Sequence, residues 1–176
     1  MSLLNIATVE NATGEVKKVY DEIHSMLGMV PNGVRTFSAN PKALQEQWNG
    51  IKDILSKDKD EQILYAIIRY IMSNKNDCEY CIGFNASMLM NHYGITQNEL
   101  NATQKDPNNA PLNAKNSALL IFAIKSVENP HAINSNDIKA LKELGASEMD
   151  IFDVVHSASH MFLVNTLFDT FKVEKD

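Results

Sequence analysis

The chain has 176 residues, 44% hydrophobic and 22% charged, with only 7 Gly and 5 Pro; this is the make-up of one globular domain spanning 1–176 and excludes a disordered or fibrous chain. A length of this order buries about 70% of the unfolded surface, enough for a core without disulfide staples. The net charge of −6 argues against broad contact with nucleic acid or anionic lipid, and no stretch approaches the ~18 uninterrupted apolar residues of a membrane-spanning helix.

Apolar residues recur at helical spacing nearly throughout, with no convincing period-two alternation, so the expected fold class is all-α. The first helix starts near Thr13, carries Val16, Val19, Tyr20, Ile23 and Leu27 on one face, and stops at Gly28. A brief helical turn is expected over Val34 to Ser38. Asn40-Pro41 then opens a helix with Leu44, Trp48, Ile51 and Leu55 on one face. Asp58 to Ser73 is the most apolar helix, its narrow polar face centred on Arg69, and is expected to be central. A helix over Cys78 to Tyr93 follows, ending at Gly94, and Thr96 with Glu99 forms a capping box for a short helix. The Pro- and Asn-rich stretch Gln104 to Asn113 reads as a mobile loop. Lys115 to Val127 and Ser135 to Leu144 are the next helices. Ser147 caps the last one, with Ile151, Val154, Val155, Ala158, Phe162 and Leu163 expected to face inward. Met1 to Glu10 lacks a basic stretch followed by a long apolar run, which points to a cytoplasmic address.

The chain has two cysteines, Cys78 and Cys81. Their spacing cannot staple a fold by closing a long loop, but residues three apart on a helix share a face at a separation that a disulfide spans. With Asp77 as the helix cap, Cys78 takes the first position and Cys81 the fourth, where unpaired amides and the helix dipole favour thiolate. The neighbouring carboxylates Asp77 and Glu79 oppose this. Two other readings stand beside redox chemistry: buried packing, and half of a zinc site, which would need two histidines from elsewhere.

The motif Cys78-Glu79-Tyr80-Cys81, set behind an apolar helix and followed by Gly94-Ile95-Thr96, resembles the carboxymuconolactone decarboxylase superfamily in its alkylhydroperoxidase D-like, peroxidase-related branch. Gly14-Glu15-Val16, Tyr20-Asp21-Glu22-Ile23, Val30-Pro31-Asn32 and Asn40-Pro41 extend the similarity over nearly the whole chain. The resemblance implies a single-domain helical bundle that assembles as a homo-oligomer, often trimeric or hexameric. It further implies a redox-active disulfide with no other cofactor and no metal, reducing hydroperoxides or passing electrons to a peroxidase. The partners implied are a hydroperoxide, a dithiol or thioredoxin-like donor, or a peroxiredoxin.

Active members place a histidine four residues after the second cysteine and a glutamate twelve before the first, as a proton relay. Here those positions hold Asn85 and Ala66. An amide takes no proton near neutral pH, so turnover should be weakened while thiol exchange survives. If proton transfer limits turnover, Asn85→His with Ala66→Glu should raise activity more than either change alone.

His156 and His160 share a face of the last helix and are a candidate alternative base or metal pair, although packing or a subunit surface accounts for them more simply. Tyr80 is a candidate gate over the cysteines. Arg69 either steers an anionic substrate or, the plainer expectation, satisfies a neighbouring carboxylate or helix C-terminus. Three functions follow in order: a thiol–disulfide oxidoreductase in antioxidant defence; a relay-deficient redox sensor or oligomeric binding protein; and a decarboxylase, disfavoured because that branch does not rest on a CxxC pair.

Overall fold

A computed structural model of the chain describes residues 2–176. Among them are nine α-helices and three short 3-10 turns, with no strand, so the fold class is all-α as expected. None of these helices is long and apolar enough to cross a membrane. The chain divides into two compact units, Met1–Lys57 with Thr166–Asp176, and Asp58–Asn165.

In the first unit α1 (Gly14–Leu27) buries Val19, Tyr20 and Ile23. It ends where Gly28 takes a φ of +77° and returns its amide to the His24 carbonyl, a left-handed closure that glycine adopts without Cβ strain. The next turn, α2 (Asn32–Thr36), begins two residues earlier than the periodicity predicts, followed by a 3-10 turn over Phe37–Ala39. α3 (Pro41–Leu55) has Pro41 in its first turn, and the Asn40 side chain accepts from the amides of Lys42 and Ala43. Leu44 and Trp48 are fully buried on the face predicted for them, and α1 packs on α3. Phe168, from the last helix, meets Phe37 edge-on at 6.0 Å.

The second unit is organised by α4 (Lys59–Lys75), capped by the Asp58 carboxylate on the Glu61 amide. From Leu64 to Ser73 every residue except Arg69 is buried, because α5 (Glu79–Asn91) and α7 (Ala114–Glu128) pack against it. The cover that these two helices give accounts for a helix apolar on nearly all sides. Thr96 and Glu99 make the expected capping box for α6 (Gln97–Lys105). The stretch read as a mobile loop contains the end of α6 and a 3-10 turn over Pro107–Asn109, in which Asp106 Oδ1 accepts from the amide and side chain of Asn108. Pro107 opens this turn and Asn108 donates to its Asp106 cap, so residues that stop a long helix here build a short one. Asn134 and Asp137 box the start of α8 (Ser135–Glu143).

Ser147 and Asp150 do the same for α9 (Glu148–Phe171), each accepting from the other's amide. The buried side of α9 runs through Ile151, Val154, Ala158, Met161 and Val164. Phe162 and Leu163, expected inside, are 39% and 50% exposed, and Phe152 is 70% exposed. A helix apolar all round gives no indication in its sequence of which stripe meets its own core.

Candidate active site

The cysteines lie at the joint between α4 and α5. At the end of α4 the Asp77 amide bonds to the Asn74 carbonyl and the Cys78 amide to the Ser73 carbonyl, at 3.3 and 3.1 Å. This double return is the Schellman closure, and it puts Asp77 in the left-handed region at φ +53°. Since Asp77 is used to end α4, it does not cap α5 as the spacing predicts. Cys78 does, in an extended conformation, with its carbonyl accepting from the Ile82 amide at 2.9 Å. Cys81 therefore stands at the third helical position, still within the first turn, where amides lack partners along the helix.

The two Sγ atoms are 2.7 Å apart and not joined in a disulfide. That is far inside sulfur–sulfur contact and longer than the ~2.05 Å of a covalent bond. Both residues are buried, Cys78 at 0% and Cys81 at 3% exposure. A more terminal place on the helix thus gives Cys78 no advantage in access. Tyr80 lies between them in sequence, its ring stacked 6.0 Å from that of Phe84.

Asn85 is buried one turn beyond Cys81. Its Nδ2 donates to the Cys81 carbonyl at 2.8 Å, and its Oδ1 accepts from Nε of Arg69 at 3.1 Å. A second guanidinium nitrogen of Arg69 lies 3.7 Å from Sδ of Met88. Burial pushes the guanidinium down to about 10, partly offset by the Tyr93 hydroxyl, which burial in turn pushes up. Among the described residues no carboxylate pairs with Arg69, so the expected acidic partner is absent. Arg69 stands twelve residues before Cys81 as Ala66 stands twelve before Cys78. The signal in the sequence that singles out Arg69 is that it is the lone cation in the apolar run of α4. Ala66 itself is 0% exposed in the core of α4.

His156 is exposed and His160 half-buried on α9, their rings stacked 6.1 Å apart, with Phe152 stacked on His156 at the same distance. Desolvation, then the neighbouring His156, lowers His160 below the ordinary histidine value, which favours its neutral form. Among the described residues no three His, Cys, Asp or Glu side chains come together as a metal would require, so neither histidine joins the cysteines in such a cluster.

No family model matches the sequence, and no curated protein does. Solved structures match over the full length. An uncharacterized peroxidase-related protein from Ralstonia eutropha JMP134, described as an alkylhydroperoxidase D core, superposes with a TM-score of 0.82 at 19% identity, covering 99% of this chain and 92% of that one. An uncharacterized peroxidase-related protein from Silicibacter sp. TM1040 gives 0.80 at 21% identity with the same coverage. A cysteine-to-alanine variant of the debrominase Bmp8, in complex with 2,3,4-tribromopyrrole, gives 0.75 at 18% identity over 100% of this chain and 92% of that one. The chain thus carries the all-α alkylhydroperoxidase D-like fold that its cysteine motif and N-terminal residues led us to expect.

Proposed function

We propose that the protein is a thiol–disulfide oxidoreductase of peroxidase type in antioxidant defence, with Cys78 and Cys81 as its catalytic pair. The observation that carries this reading is the pair of thiols 2.7 Å apart at the N-terminal turn of α5. The fold shared with peroxidase-related proteins supports it.

In the cycle we propose, the Cys81 thiolate attacks the distal oxygen of a hydroperoxide and the O–O bond breaks. The sulfur becomes a sulfenic acid, and the departing alkoxide takes a proton to leave as the alcohol. The Cys78 thiol then attacks the sulfenic sulfur, forming the disulfide and releasing water. An external thioredoxin-like dithiol reduces the disulfide and is itself oxidised to a disulfide; where a peroxiredoxin is the partner, the reduced pair instead gives its two electrons to the peroxiredoxin disulfide and closes to its own disulfide. A reducing, cytoplasmic compartment suits that last step. With Asn85 and Ala66 at the relay positions, no side chain there accepts or delivers the protons, so turnover is slow, and His156 or His160 is the next candidate for a base.

Thiol titration tests the reading directly. Two titratable thiols per chain should fall to none after one equivalent of hydroperoxide, with one equivalent of alcohol formed. Retention of both thiols under that oxidant would sink it.

A second reading is favoured by the burial of both cysteines: the disulfide forms, but catalytic turnover is negligible and the chain serves as a redox sensor. Assembly is part of either reading. Phe152, Phe162 and Leu163 of α9 are exposed large apolar side chains, and we propose that copies of the chain cover them in a homo-oligomer, a trimer or hexamer. Sedimentation should show an assembly at micromolar concentration. A monomer throughout that range would remove this part of the proposal.

A further inference from the structure

Arg69 is the only residue between Leu64 and Ser73 of α4 that is not buried, and its charge meets neutral groups alone: the amide oxygen of Asn85 and the thioether of Met88. The chain has 22 acidic side chains and a net charge of −6. Among the described residues, however, none is hydrogen-bonded or ion-paired to this guanidinium, and the one titratable group acting on it is the Tyr93 hydroxyl. A cation held in a partly desolvated place without a counter-ion is costly to the fold, and it attracts any anion that reaches it. Two of its five N–H groups are engaged as described, which leaves donors in a fork suited to a planar oxyanion. Asn85 fixes its orientation, and the same amide bonds to the backbone of Cys81, so the guanidinium and the residue bearing the attacking sulfur are two hydrogen bonds apart along one rigid pair of helices.

We infer that Arg69, held by Asn85, seats the negative charge of the electrophile that Cys81 attacks, so that the protein prefers anionic substrates such as carboxylate-bearing hydroperoxides over neutral ones. This deepens the peroxidase reading by naming a substrate class. Asn85 is then a positioning residue, which accounts for an amide where active relatives have a titrating imidazole: a neutral amide oxygen accepts from a permanent cation, whereas an imidazolium would repel it.

The test uses two alkylating agents of nearly equal size that differ in charge, iodoacetate and iodoacetamide, on the full chain carrying Cys78→Ser so that only Cys81 reacts. In either reaction the thiolate forms the S–C bond and iodide leaves. Any opening needed to reach the buried sulfur is common to both and cancels in the ratio of their rates. Arg69→Gln is expected to lower the iodoacetate-to-iodoacetamide ratio about fivefold or more, the effect of removing one screened charge, and Arg69→Lys to retain much of the parent ratio. Asn85→Asp, which gives Arg69 an internal carboxylate, should lower the ratio while leaving the arginine in place, and an unchanged ratio there refutes the seat even if Arg69→Gln does not fold.

An unchanged ratio in a folded Arg69→Gln or Asn85→Asp protein overturns the proposal. So does an equal slowing with both reagents, since Arg69 would then act on the thiolate or the fold alone. Peroxide turnover plays no part in this readout. A protein that shows the charge preference yet consumes no hydroperoxide leaves the anion seat standing and removes the peroxidase reading; the converse removes the seat alone.

Discussion

Replacing Cys81 by serine is expected to lower hydroperoxide-dependent oxidation of a dithiol by roughly three orders of magnitude or more, because a hydroxyl in place of the thiolate is not a nucleophile at neutral pH. Serine is close in size to cysteine, and the site is packed on all sides, so the fold should tolerate the exchange. Cys78→Ser should behave differently. There Cys81 still reduces one equivalent of hydroperoxide, giving one equivalent of alcohol, and then stops as the sulfenic acid with no thiol to condense with it. A burst without turnover in Cys78→Ser, set against no burst in Cys81→Ser, assigns the two roles. Equal turnover in wild type and Cys81→Ser would show that the attacking atom lies elsewhere, with Cys78 as the remaining thiol.

The second large effect is expected at Ala66. On sequence alone, Ala66→Glu looks like half of a repaired relay. In the structure Ala66 is fully buried within the run of α4 that packs against α5 and α7. A glutamate side chain there would bring extra length and a charge into a filled core, at a cost of about 3 kcal/mol or more. The loss should show as a lower urea midpoint with little change in slope, and it should shrink at acid pH, where the carboxyl is neutral and its burial costs less. Adding Asn85→His offers the carboxylate a partner and recovers part of the loss; a double-mutant cycle reads that coupling. Activity should rise only in the double variant, and only if the refitted imidazole displaces Arg69 from its bond at position 85. A single Ala66→Glu protein as stable as wild type would show that α4 has slack that its packing conceals.

The helices were legible because their ends are written in local chemistry. Asn40-Pro41, Thr96 with Glu99, Ser147 with Asp150, and Gly28 each satisfy orphan backbone groups through their own side chain or left-handed turn, and all four work as read. Two kinds of feature were not legible in this way. Asp77 looks like an ideal cap for α5, yet the end of α4 and the start of α5 compete for the same residue, and local patterning cannot say which helix takes it. Phe162 and Leu163 show the same limit in packing, since hydrophobicity states that a residue avoids water and not which surface it will meet. At the site, the cysteines were legible from spacing, and Asn85 from the position it takes in the motif of the family that the chain resembles. The environment of Arg69 was not, because the lack of a counter-ion is a property of three-dimensional neighbours that no run of residues encodes.

The joint at Cys78 also bears on how the chain folds. One residue closes α4 and opens α5, so no free loop separates the two most intimately packed helices of their unit, and their association restricts almost no additional backbone. A contact made at such short range is available as soon as each helix has formed a turn, well before the distant pairing of Asn165 with the Met72 carbonyl can be reached. The α4–α5 hairpin is thus the natural nucleus of its unit, and the two thiols, one turn apart at the start of α5, meet as soon as that first turn forms.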